Sequence, residues 1–369
     1  MSLMRGYADD MELDTWLNDY IWPAEANLND DYCYSGALLS CLEMIKTGTT
    51  CFNDMYFYNS AIAQAVEESG IRGILSYGMI DFGDEEKREN EFKESIQLIK
   101  KHNNTVDGRI RTAFGPHAPY TASRELLIRA REEANKYQVP LHIHVGETQN
   151  EINNLKESTN LRPFEYLEDI GFLGEDVIAA HAVHLSDNER EIIKKYNVKI
   201  AHNPMSNMKL SSGIAPVADL LKRGICVGIG TDGSTSNNNL DMFQEMRTAS
   251  LLQKVDTYDP TVLPAEEVIS MATQYGARCL GWDDEIGDLQ VGMKADIILV
   301  DMHSVHLTPN RNPASHLVYS ASGFDVDTTI CNGKILMENK QVLILDEETL
   351  IQKAETSGHQ LINEAQKQE

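Results

Sequence analysis

Five successive short apolar runs in this chain each deliver a polar side chain able to bind a metal or move a proton. They end in His117, in His144 with Glu147, in His181, in His202 and in Asp232. Amphipathic segments of helical period lie between them, joined by short connections. That alternation argues for a parallel α/β architecture. Polar residues at the C-terminal ends of consecutive parallel strands fit the active-site face of a (β/α)8 TIM-like barrel. The rival is an open doubly wound sheet, which would gather its polar groups at one switch point. The sequence holds no GxGxxG or P-loop pattern to support that rival.

The pattern predicts helices over 36–46, 60–69, 86–101, 123–136, 162–169, 187–195, 216–222 and 240–254. Strands are predicted over 49–54, 73–79, 110–114, 141–145, 177–180, 198–201 and 225–229. No strand precedes the helix at 36–46, so the first of eight barrel strands has no counterpart in the chain. Residues 1–34 read as a βα loop with a short helix from Trp16 to Ile21. Beyond about residue 260 the grammar changes to a helix over 265–280, a β-rich stretch over 287–301 and a hairpin around Asn332-Gly333. The expected organisation is a barrel over 1–285, part of a small β-domain over 286–345 and a C-terminal helix over 346–369.

The formal charge of −25 and pI near 4.8 argue against nucleic acid and anionic membranes as partners. With 42% hydrophobic residues, a mean hydropathy of −0.35 and no run of membrane-span length, the composition is that of a soluble globular protein. Cys33, Cys41, Cys51, Cys226, Cys279 and Cys331 are widely spaced, with no CxxC, and read as reduced thiols of a cytoplasmic protein.

The chemistry centres on Leu141-His142-Ile143-His144-Val145-Gly146-Glu147. Residues two apart on a strand share a face, so His142 and His144 look the same way. Gly146 lets the chain turn and brings Glu147 towards the same opening. His144, His181 and Asp232 together supply N and O donors suited to one divalent cation. Such an ion lowers the pKa of a bound water, and Glu147 is placed to move a proton. Half-buried core histidines and a surface Glu are the bland alternative for each residue alone, but not for the whole series.

The residues then resemble a known family. Leu3-Met4-Arg5-Gly6-Tyr7-Ala8-Asp9-Asp10, Tyr20-Ile21-Trp22-Pro23-Ala24-Glu25, Gly115-Pro116-His117-Ala118-Pro119-Tyr120 and His142-Ile143-His144-Val145-Gly146-Glu147-Thr148 carry the likeness. So do Ala180-His181-Ala182-Val183-His184-Leu185, Ala201-His202-Asn203-Pro204-Met205-Ser206-Asn207 and Gly230-Thr231-Asp232-Gly233. The chain resembles the amidohydrolase superfamily, and within it the 5-methylthioadenosine/S-adenosylhomocysteine deaminase group, nearest to its archaeal type acting on 5′-deoxyadenosine. The resemblance implies a cytoplasmic enzyme that hydrolytically deaminates adenosine-type nucleosides with one divalent metal ion, expected to be Zn2+. It implies metal ligation by His144 and Asp232, with Asp232 also taking a proton from the attacking water. Glu147 would protonate the purine ring nitrogen, and His181 would hydrogen-bond the water and the tetrahedral intermediate. Glu25 would hold the ribose hydroxyls and His117 would contact the nucleoside.

Two departures qualify the likeness. The family's H-x-H on barrel strand 1, which supplies two further metal ligands, is absent and would lie ahead of Met1. Met1 is therefore expected to be an internal methionine of a truncated chain, whose remaining ligands fall short of a closed site and whose metal affinity is expected to collapse. His142-Ile143-His144 mimics that motif but belongs to the fifth barrel strand, which makes His142 a supporting or core residue. Second, one of the positions where relatives acting on S-adenosylhomocysteine are expected to carry arginine is Tyr77, and Arg88 is a candidate for the other. This leans towards small 5′ substituents. The expected partners are the nucleoside and further copies of the chain in a homo-oligomer. Another amidohydrolase of guanine deaminase or triazine hydrolase type, and a catalytically inactive truncated homologue, are the alternative functions.

Overall fold

A computed structural model describes residues 1–367 of the chain, so positions 368 and 369 of the expected C-terminal segment lie outside the described residues. The seven expected strands are present: β1 Cys51–Tyr56, β2 Arg72–Met79, β3 Ile110–Pro116, β4 Leu141–Val145, β5 Val177–His181, β6 Lys199–His202 and β7 Val227–Ile229. They form one sheet in the order β1-β2-β3-β4-β5-β6-β7, and every pairing is parallel. Strictly sequential order is that of a barrel wall, since a doubly wound sheet would reverse its order at a switch point. The wall curls but is not closed. Among the described residues β1 and β7 share no strand pairing. All six residues of β1 are only half-buried, whereas β2 beside it is almost wholly buried.

Period-two alternation sorts the side chains. On β4, Leu141, Ile143 and Val145 pack outwards into the main apolar core under the helices. His142 and His144 point inwards and line the central cavity. Each fully buried aliphatic side chain contributes about 1.5–3 kcal/mol, and dozens of them hold the helical layer on the sheet.

Local signals explain the helix ends. Asn29 caps the helix Asp30–Lys46 by accepting from the Tyr32 amide, with Asp30 and Asp31 in its first turn and Lys46 in its last. It therefore starts six residues before the expected position. The helix expected over 265–280 is two helices, Ala265–Ala272 and Gln274–Cys279, broken at Thr273. Gly287 lies against the break so closely that a Cβ there would be 3.0 Å from the Thr273 carbonyl oxygen and 2.7 Å from Ala277 Cβ. A helix over Gln149–Thr159, unforeseen as a separate element, follows β4.

A second sheet is antiparallel, in the order β11-β10-β9-β8, built from β8 Ile297–Val300, β9 Val326–Cys331, β10 Lys334–Glu338 and β11 Gln341–Val342. The hairpin turns at Asn332-Gly333 as expected, but only Ile297–Val300 of the β-rich stretch is strand. A buried ion pair ties the sheets together: Arg72 on β2 makes two 3.1 Å bonds to Asp296, just before β8. The helix Glu347–Gln366 then packs back on Asp30–Lys46. No described helix is long and apolar enough to cross a membrane, and all six cysteines are free thiols.

Candidate active site

A cavity of about 740 Å3 opens at the C-terminal ends of the strands and runs into the barrel interior. Glu25, His117, His142, His144, Glu147, His181 and Asp232 all line it. The strand ends do the gathering. β4 delivers His144 and, after the Gly146 turn (φ +68), Glu147. β5 ends on His181, and the loop after β7 carries Asp232. Both His181 (φ 74) and Asp232 (φ 61) hold left-handed backbone. Non-glycine residues adopt that conformation at a cost of about 1–3 kcal/mol, typically where a site demands it.

Each polar side chain is fixed by a partner behind it. His144 Nδ1 lies 2.7 Å from the His117 carbonyl oxygen, so Nδ1 carries the proton and Nε2 is left as the lone-pair nitrogen. His181 Nδ1 is 2.8 Å from Asn207 Oδ1, and its Nε2 faces Glu147 Oε2 at 3.7 Å. Asp232 accepts from the Ser206 hydroxyl at 2.6 Å and from the Gly233 amide at 2.6 Å. His117 pairs with Thr121 Oγ1 at 2.9 Å, and its ring sits edge-on to Tyr120. His142 Nδ1 bonds Asn53 Nδ2 at 3.1 Å, deeper in the same cavity. Glu25 accepts from the Tyr56 hydroxyl at 2.7 Å.

The electrostatics follow from burial and sign. Burial opposes the charged form of His181, but the facing carboxylates of Glu147 and Asp232 and the bond to Asn207 outweigh it and raise its pKa. Asp232 is lowered: burial works against its anion, and His181, Ser206 and His144 overcome that. Burial, then the neighbouring imidazoles His144 and His181, push His117 down to about 3. His144 is lowered first by burial and then by His181. Glu25 is raised by burial despite the Tyr56 bond. The cavity lining is rich in carboxylates. Glu25, Asp54, Glu147 and Asp232 line it, and no Lys or Arg is among its described lining residues.

Arg88 is not at this site. Its guanidinium lies 3.6 Å from Asp81 and 3.7 Å from Glu125, bonds Ser123 at 3.2 Å, and does not line the cavity. The buried Asp81 carboxylate holds its guanidinium beside the cavity lining. Tyr77 is also turned away, packing edge-on against Phe57. Neither residue is among the described residues that line the cavity.

The donor set has the chemistry of a metal site, since a ligating imidazole commonly donates its other N–H to a carbonyl, as His144 does. Nevertheless, among the described residues no three His, Cys, Asp or Glu converge as a group able to hold an ion. His144 and Asp232 are a partial set.

The chain matches the model of the amidohydrolase family over residues 1–336. It belongs to that family. It is 59% identical to the 5′-deoxyadenosine deaminase of Methanobrevibacter smithii over 98% of its own length and 83% of that protein. It is 50% identical to the 5′-deoxyadenosine deaminase of Methanocaldococcus jannaschii, over 96% of this chain and 84% of that one. Among solved structures, an adenosine deaminase from Xanthomonas campestris with bound zinc superposes with a TM-score of 0.92 at 33% identity, covering 98% of this chain and 83% of that one. A zinc-bound atrazine chlorohydrolase from Arthrobacter aurescens gives 0.90 at 26% identity, over 98% and 85%. This amidohydrolase chain thus has the barrel expected of it.

Sequence reasoning missed the supporting residues: Tyr56 behind Glu25, Asn207 behind His181, Ser206 behind Asp232 and Asn53 behind His142. Ser206 and Asn207 lie in the run Asn203-Pro204-Met205-Ser206-Asn207, already conspicuous in the sequence. Tyr56 and Asn53 gave no signal beyond the polar end of a strand.

Proposed function

We propose that this amidohydrolase catalyses hydrolytic deamination of adenosine-type nucleosides, giving the inosine analogue and ammonia. 5′-Deoxyadenosine, 5′-methylthioadenosine, S-adenosylhomocysteine and adenosine form the substrate class. The observation that carries the reading is the facing pair Glu147 and His181, with Asp232 beside them, in one cavity that also holds Glu25. High identity to chains named 5′-deoxyadenosine deaminase supports the choice of substrate over a guanine or a triazine.

Deamination at adenine C6 needs a proton taken from the attacking water and protons given to the ring nitrogen and the departing amine. Asp232, held in its anionic form by His181, is the acceptor for the water proton. Glu147 in its protonated form gives its proton to the ring nitrogen, Asp232 passes the water proton to the departing amine, and the hydroxyl proton released as the C6 carbonyl forms restores Glu147. His181, whose pKa its carboxylate neighbours raise, hydrogen-bonds the oxygen that becomes negative at C6. Glu25 accepts from the ribose hydroxyls, steadied by Tyr56, and His117 presents a neutral imidazole to the nucleoside. A divalent ion, proposed as Zn2+ with His144 and Asp232 among its ligands, would supply a water acidic enough to ionise near neutral pH.

Glu147→Gln tests the reading, because it keeps the shape and removes the transferable proton. The kcat on 5′-deoxyadenosine should fall by about 100-fold or more with KM little changed. An unaltered kcat contradicts it.

A further inference from the structure

Glu151 takes no part in the chemistry above, yet it is a buried carboxylate directly under the proposed acid. It stands in the first turn of the helix Gln149–Thr159, where Thr148 caps by accepting from the Glu151 amide at 3.1 Å. In an ordinary capping box the third-position carboxylate reaches back to the cap residue's own amide. Here it reaches further. One oxygen accepts from the Gly146 amide at 2.9 Å and the other from the Glu147 amide at 2.8 Å.

The same peptide unit is gripped from the other side. The Gly146 carbonyl accepts from the amides of Val183 at 3.0 Å and His184 at 2.9 Å, in the turn just after His181. The loops carrying Glu147 and His181 are therefore fastened together through Gly146, and Glu151 closes the fastening from below. Burial pushes the Glu151 carboxyl up to about 7, so the ionised group is expensive to keep in that position. Plain helix stability does not need it, because Thr148 already caps.

We propose that Glu151 is a positioning residue for the deamination, bridging two backbone amides so that the Glu147 carboxylate stays opposite His181. This rests on the role given to Glu147 above. Gln at 151 has the same size but one acceptor oxygen, and its amide donor would face a backbone N–H. One of the two bridges is then lost while the fold has little reason to change. A displacement of an ångström at a reacting group costs up to about 100-fold in rate.

The test compares the full-length wild type, Glu147→Gln and Glu151→Gln on 5′-deoxyadenosine, well below their unfolding temperatures. Glu151→Gln should lower kcat roughly tenfold or more while KM stays within about threefold, the signature of a loss confined to the transition state. A kcat within about twofold of wild type, beside a crippled Glu147→Gln, overturns the positioning role alone. An active Glu147→Gln overturns the reading beneath it as well. Hydrogen exchange on the wild type serves where Glu151→Gln does not fold. The Gly146 and Glu147 amides should exchange as slowly as those of β4, and fast exchange at both overturns the bridge.

Discussion

Glu147 Oε2 and His181 Nε2 face each other 3.7 Å apart across the cavity, although 34 positions and two helices separate them in the chain. Neighbouring parallel strands make this possible, because Val145 on β4 pairs in register with His181 on β5. A substrate atom beside this pair, rather than between its members, lies within hydrogen-bond reach of both.

Ribose recognition should be separable from chemistry. Glu25→Ala should raise KM for 5′-deoxyadenosine roughly tenfold or more, the loss expected for hydrogen bonds to a charged acceptor, with a smaller effect on kcat. Tyr56→Phe, which removes the 2.7 Å bond that steadies Glu25, should move KM in the same direction by less. Steady-state kinetics checks both, and a kcat loss at constant KM would remove Glu25 from the binding role.

A cavity lined by carboxylates and lacking lysine or arginine among its described lining residues should reject a 5′-phosphate. Adenosine 5′-monophosphate should therefore show kcat/KM at least about 100-fold below adenosine, since like charges repel strongly in a partly desolvated site. Comparable turnover of the two would mean that a cation reaches the 5′ end.

His202 is wholly buried, and neither ring nitrogen has a hydrogen-bond partner among the described residues. Burial, followed by the nearby His181 charge, pushes its pKa down to about 3. The unfolded chain, with a histidine pKa near 6.5, binds the proton first. Stability from this group is thus complete above about pH 6.5 and is lost as pH falls towards 3. Denaturant titrations between pH 8 and pH 4 should show a shallower acid loss for His202→Leu than for wild type. Parallel curves would contradict the assignment.

The link between the two sheets should be brittle. Asp296→Asn leaves the buried Arg72 charge without its partner and should cost about 3–5 kcal/mol in urea unfolding. Activity per folded molecule should be nearly unchanged, because neither residue touches the proposed reacting groups.

The barrel was legible because each strand is an apolar run that ends abruptly in a polar residue, and that pattern is local. That His144, Glu147, His181 and Asp232 would gather at the strand ends around one cavity was legible for the same reason. Partnerships between distant residues were not. Nothing adjacent to Glu25 indicates that Tyr56 will bond it, and nothing adjacent to His181 points to Asn207. Arg88, proposed from the resemblance alone, illustrates the limit, since only the fold reveals Asp81 within its reach. The break at Thr273 likewise depends on Gly287 arriving from outside the helix. Thr148-x-x-Glu151 and the Asn29 cap with Asp30 and Asp31 behind it were readable signals passed over, since each marks a helix start.

Product analysis tests the central claim most directly. The purified chain, supplied with zinc and 5′-deoxyadenosine, should release ammonia and 5′-deoxyinosine in equal amounts. Intact 5′-deoxyadenosine with no ammonia, from folded protein with zinc present, would contradict it.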